Sequence, residues 1–320
     1  MIKLKKVVIF GGGTGISCLL SGLKLFPIDV TAIIAVSDDG SSTGQLKKEF
    51  DIPAVGDVGK VLLSMANVDE NFKDLLSYRF SKAESCLDNH PIRNILLTAL
   101  IDLKGNLTEA TKYMCKLLDI KGTVLPLSED KVELVGVDSH GGEYLGEESV
   151  SQNVKNIKRL KYDKNINISK EVIDHIKEAD LILLSSGSLY TSVLPHLIVK
   201  EVREAIESST APIMYVANLV TQPGETDGYK VSDHIKTLNS YLGKRHVDIV
   251  IANNKEIDKE VVDKYSLLEN KTQVPLDQDI VEKNGSRVIA DGICSVENGV
   301  IRHNALKTGY LIFSYLMEGE

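Results

Sequence analysis

Five small residues, Gly11-Gly12-Gly13-Thr14-Gly15, follow the apolar run Val7-Val8-Ile9-Phe10 and precede a segment with Leu19, Leu20 and Leu23 at helical spacing. A strand that enters a helix through glycines can bring its backbone within contact distance of a phosphate, because no Cβ intervenes. The helix's free N–H groups and positive dipole end then favour the anion. The run therefore predicts a strand, a glycine turn and a helix over Ile16 to Leu25. It is not the dinucleotide fingerprint, since Cys18 stands at the third-glycine place, nor a P-loop, since no Lys-Ser/Thr follows. A tight turn needs one or two glycines; five small residues in a row exceed that, and a phosphate cradle is the reading favoured.

Further buried-strand patterns occur at Val30 to Val36, Asp180 to Leu184, Ile213 to Ala217 and Val247 to Ile251, each beside a helical segment. Such alternation predicts an α/β fold with a mostly parallel sheet and right-handed crossovers. Between the second strand and residue 180 it breaks. Helices are expected at Asp57 to Ala66, Glu70 to Phe80, Ile92 to Asp102 and Leu107 to Leu118, then a β-rich insertion at about 122–165. Short strands such as Val288 to Ala290 and a terminal helix, Ala305 to Met317, complete the chain. No repeat or low-complexity linker divides it, so residues 1–320 read as one domain carrying the insertion.

The 320 residues carry a formal net charge of −8. That argues against non-specific binding to nucleic acid or an anionic membrane, so an anionic ligand needs local amides and a few placed cations. No window holds 18 consecutive apolar residues, so no membrane span is expected. Met1 to Lys6 runs straight into a strand instead of forming a signal peptide. The four cysteines, Cys18, Cys86, Cys115 and Cys294, are scattered and read as reduced in a cytoplasmic setting. The expected partner is a small molecule; self-association into a homo-oligomer is left open.

Other polar segments follow the strands. Asp38-Asp39-Gly40-Ser41-Ser42 comes after the second, where an acid can hold a ribose hydroxyl. The two carboxylates could instead hold a divalent metal such as Mg²⁺ or act as a base, or the segment is a polar turn with a helix cap. Ser185-Ser186-Gly187-Ser188 and Asn218-Leu219-Val220-Thr221-Gln222-Pro223-Gly224-Glu225 follow two later strands. Each alone is explained by a capped loop. All lie at the carboxyl ends of expected parallel strands, which share one edge, and that convergence points to a ligand crevice. Gly56-Asp57 reads as a helix cap or a further carboxylate there. His90 and Asn94 could both face the crevice, although a helix-end histidine is seldom a catalyst. No His/Cys/Glu cluster has zinc-ligand spacing.

Gly11 to Gly15, Ser37 to Ser42, Gly187-Ser188-Leu189-Tyr190-Thr191-Ser192-Val193-Leu194-Pro195 and Asn218 to Gly228 together resemble the gluconeogenesis-factor (YvcK-like) family, within the superfamily of 2-phospho-L-lactate transferase. The resemblance spans roughly the whole chain. It implies a Rossmann-like core, a cytoplasmic location, binding of a nucleotide sugar such as UDP-N-acetylglucosamine, and a role in cell morphology on gluconeogenic carbon sources. The family's ligand positions match Gly12, Gly13, Thr14, Asp38, Asn94, Ser188, Asn218 and Thr221. Tyr265 and Arg302 match positions tied to the nucleotide sugar: a tyrosine face can stack on a base, and an arginine fork can grip a diphosphate. Where the family shows Gly-Pro before Gly-Ser, this chain has Ser185-Ser186. The resemblance favours a binding protein; the alternative is a Mg²⁺-dependent transferase with Asp38 and Asp39 on the metal. GDP and NAD are the alternative nucleotide ligands for the same crevice.

Overall fold

Seven apolar runs of four to six residues form the central sheet of the computed structural model, which describes residues 4–81 and 85–318. In chain order the strands of the protein are β1 (Lys6–Gly11), β2 (Asp29–Ile34), β3 (Thr123–Pro126), β4 (Leu134–Asp138), β5 (Glu143–Leu145), β6 (Ile157–Tyr162), β7 (Leu181–Leu184), β8 (Ile213–Val216), β9 (Ile249–Asn253), β10 (Arg287–Asp291), β11 (Cys294–Glu297) and β12 (Val300–His303). The sheet runs β10-β9-β8-β7-β1-β2-β3, and every neighbouring pair is parallel. Parallel strands need helical crossovers, which cover the sheet and explain why these strands are continuously apolar rather than alternating. Val7 to Phe10, Ile182 to Leu184 and Val250 to Ala252 are almost wholly buried.

The β-rich stretch divides differently from the sequence expectation of 122–165. Val124 and Leu125 belong to β3, which pairs with β2 as the sheet's edge strand. Only the later part, β4 to β6, forms a separate antiparallel sheet in the order β5-β4-β6. A short apolar run does not itself reveal whether its pairing partner is near or far in sequence. The helix expected over Glu70 to Phe80 stops at Ser77, because Arg79 and Phe80 pair with Pro91 and Asp88. The terminal helix spans Ala305–Met317 as expected. Among the described residues no helix is long and apolar enough to cross a membrane.

Candidate functional site

From β1 the chain builds outward through β2 and β3, then returns to build β7 to β10 on the other side. The switch point lies between the carboxyl ends of β1 and β7, where open α/β sheets hold ligands. A cavity of about 400 Å³ opens there, between the glycine loop, the segment after β7, the segment after β8 and the end of β12. Helix α1 starts inside the glycine run and spans Gly13–Leu23. Its N-cap, Gly12, offers no side chain to the first turn, so the end of the helix that favours an anion faces the cavity.

Two glycines are fixed by geometry. Gly13 has φ +62°, a conformation L side chains avoid, and a Cβ on Gly15 would collide with the carbonyl oxygen of Ser186. The excess of small residues therefore has a structural component as well as a binding one: α1 approaches the β7 segment backbone to backbone.

Two cations line the opposite wall. Lys271 arrives there because its segment pairs with the one after β8: Thr221 N–H donates to Thr272 O at 2.8 Å and Thr272 N–H to Thr221 Oγ1 at 3.0 Å. Among the described residues its ion pair is an open one with Glu269, at 2.6 Å. Arg302 comes from β12, where strand alternation buries Ile301 and exposes Arg302. Among the described residues no carboxylate pairs with its guanidinium.

The loops beneath are locked by side-chain bonds. Asn218 Nδ2 donates to Gly187 O at 2.7 Å, clipping the segment after β8 to that after β7. Ser188 Oγ donates to the buried carboxylate of Glu225 at 2.7–2.8 Å, and Ser151 of the inserted unit donates to the same group at 3.0 Å. Burial raises the Glu225 carboxyl above its usual range against those donors. His303 links three segments: one ring nitrogen, Nε2, is 3.0 Å from Ala217 O, and Nδ1 is 3.3 Å from Ser186 Oγ. A carbonyl only accepts, so Nε2 carries the proton and the Ser186 hydroxyl donates to Nδ1. Burial keeps this imidazole neutral, its pKa pushed down to about 4.

A carboxylate group lies on the other side of the glycine loop. Asp57 sits in the first turn of the helix Gly56–Met65 rather than capping it, buried against Gly12 and Gly13 and paired with Lys60 at 2.9 Å. Burial raises its carboxyl, with Lys60 opposing. Glu147, at the start of the inserted helix Glu147–Asn153, is pushed up to about 8 by burial and then by Asp38 and Asp57. Asp38 and Asp39 face different neighbours: Asp38 accepts from Gly40 N–H at 3.0 Å and lies against Gly56, while Asp39 accepts from Glu148 N–H at 3.3 Å. Among the described residues no group of three or more His, Cys, Asp or Glu is set to hold a metal.

The family model of 2-phospho-L-lactate transferase CofD matches residues 7–294. The chain belongs to the CofD family. Within it, the chain is 38% identical over 314 residues to the gluconeogenesis factor of Bacillus subtilis strain 168, covering 98% of each. It is 39% identical over 312 residues to that of Halalkalibacterium halodurans, covering 97% of this chain and 96% of the relative. A crystal structure of a Bacillus halodurans protein superposes with a TM-score of 0.92 at 39% identity, covering 97% of this chain and all of that one. A second, of a member of the upf0052 family from the same organism, gives 0.91 at 38% identity, over 96% and 99%.

In this CofD-family crevice the structure gathers Gly12, Gly13, Thr14, Gly15, Gly187, Ser188, Asn218, Thr221 and Arg302 around one cavity. Gly11 is buried beneath it against Ser185, and Asp38 lies on the carboxylate side. Asn94 and His90 do not line the cavity; Asn94 Nδ2 donates to Ser42 Oγ at 3.2 Å, and His90 Nδ1 is 2.8 Å from the same hydroxyl. Tyr265 differs most from the sequence expectation. Only 8% exposed, it has no free face for a base, and its hydroxyl accepts Ile301 N–H at 2.8 Å, so it braces the strand that carries Arg302. Sequence reasoning missed Lys271 and His303 as cavity residues, although His303 adjoins Arg302. Glu225 stood inside a quoted motif, but nothing local marked it as the partner of Ser188.

Proposed function

We propose that this CofD-family chain is a cytoplasmic nucleotide-binding regulatory protein whose ligand is a nucleotide diphosphate ester of the UDP-sugar type. One observation carries the reading: the N-terminus of α1 faces the uncompensated Arg302 and the loosely paired Lys271 across a single cavity. Amides and dipole on one side with cations on the other suit a diphosphate. The polar loops after β7 and β8 supply hydrogen-bonding groups for ribose and sugar. The name shared by its relatives supports a role in growth on gluconeogenic carbon sources, and the proposed ligand joins that role to cell-envelope precursors and cell shape. Calorimetric titration with UDP-N-acetylglucosamine, GDP and NAD, each with and without Mg²⁺, tests the reading; failure to bind any diphosphate sinks it.

The alternative, a Mg²⁺-dependent transferase acting on a nucleotide diphosphate ester, has one observation in its favour. Asp38, Asp57 and Glu147 interact electrostatically beside the glycine loop. The divergence of Asp38 and Asp39 weighs against a metal held by that pair.

A further inference from the structure

The Arg302 backbone pairs with Ser295 in the β11–β12 hairpin, and among the described residues no carboxylate holds its guanidinium, so its place in the cavity depends on how its neighbours are anchored. On one side Ile301 N–H donates to the Tyr265 hydroxyl at 2.8 Å. On the other side stands His303, the last residue of β12. Its ring bridges Ala217 O and Ser186 Oγ, and its own carbonyl accepts the Cys18 thiol of α1 at 3.2 Å. These three partners belong to the segments after β8, after β7 and to the helix of the glycine loop. Thus His303 ties the strand carrying the cation to three other walls of the cavity, its imidazole to two of them and its backbone carbonyl to the third. Among the described residues the β11–β12 hairpin forms a two-stranded sheet of its own, outside the main sheet, so sheet hydrogen bonding does not fix its distance from α1.

We propose that His303 is the positioning residue of the anion grip, fixing the Arg302 guanidinium opposite the α1 N-terminus through its bonds to Ala217 and Ser186. This rests on the phosphate-binding reading above. His303 acts through Arg302, so its removal costs affinity for the phosphates and not for the nucleoside. The geometry also ranks replacements. Glutamine can place an N–H near the position of Nε2 and keep the bond to Ala217 O, whereas alanine keeps neither bond.

The test is a double-mutant cycle read by calorimetry with UDP, inorganic pyrophosphate and uridine, with thermal melts to confirm folding. His303→Ala is expected to weaken UDP and pyrophosphate roughly ten- to a hundredfold and leave uridine unchanged. His303→Gln should recover most of that loss, and His303→Ala added to Arg302→Ala should cost nothing more. Equal losses for uridine and UDP, or losses that multiply in the double variant, overturn the proposal, because both mean that His303 supports the fold and not the grip. Wild-type protein that binds neither UDP nor pyrophosphate sinks the phosphate reading itself. Wild-type binding that survives intact in a folded His303→Ala variant sinks only the role given to His303.

Discussion

Gly15 and Ser186 meet backbone to backbone: a Cβ on the glycine would lie within the van der Waals radius of the serine carbonyl oxygen. This contact sets how closely α1 approaches the segment after β7, and so the width of the cavity between them. Gly15→Ala should therefore destabilise the protein by about 3 kcal/mol or more, since backbone on both sides leaves nothing flexible to move. Urea unfolding would measure it; a change within about 0.5 kcal/mol would mean that the two segments separate easily.

Arg302 and Lys271 should divide the work of holding phosphates. Arg302→Ala is expected to weaken UDP-N-acetylglucosamine binding by about 1.5–3 kcal/mol, the worth of a charge-assisted hydrogen bond, with a much smaller loss for uridine. Lys271→Gln should cost less, because the lysine first has to leave Glu269. It should also reduce the salt dependence of binding, as removal of an exposed cation does. Titrations at two ionic strengths check both. Equal losses for uridine and the nucleotide sugar would assign Arg302 to the fold.

Asp38 separates binder from enzyme. If the chain only binds, Asp38→Asn keeps the shape and one acceptor oxygen, so affinity should fall modestly and Mg²⁺ should hardly matter. We expect this outcome. Stoichiometric, Mg²⁺-dependent release of UMP or GMP from a diphosphate ester, lost in Asp38→Asn, would make the transferase the better reading.

Glu147 gives the fold a pH dependence. Its carboxyl is held up to about 8 by burial and the nearby Asp38 and Asp57 carboxylates, so the fold prefers its neutral form. The stability this provides is fully present below the ordinary glutamate value of about 4.3 and is lost as pH rises through about 8. Glu147→Gln mimics the neutral group at every pH. Its melting temperature relative to wild type should therefore climb between pH 5 and pH 9, by at least about 2 °C. A constant offset across that range would show that Glu147 is ionised in the fold throughout.

Much of this molecule was legible in its sequence because the signals are local. Continuous apolar runs such as Val7 to Phe10 can be buried on both faces only in a parallel sheet covered by helices, and helical spacing after the glycines placed α1. Those strands share one edge, so the sequence also located the crevice and its loops. It did not say which side chains line the cavity. Lys271 enters through pairing with Thr221, fifty residues earlier in the chain; Ser188 is taken up by Glu225, and Tyr265 turns inward to brace Ile301. Asp38 and Asp39, adjacent in sequence, face different elements because the helix Gly56–Met65 packs on one side and the inserted helix Glu147–Asn153 on the other. Local sequence sets where a strand ends and a loop begins, since that depends on burial and backbone propensity over a few residues. Where a loop side chain points depends on hydrogen bonds to segments far away in the chain, and only the tertiary structure brings those together.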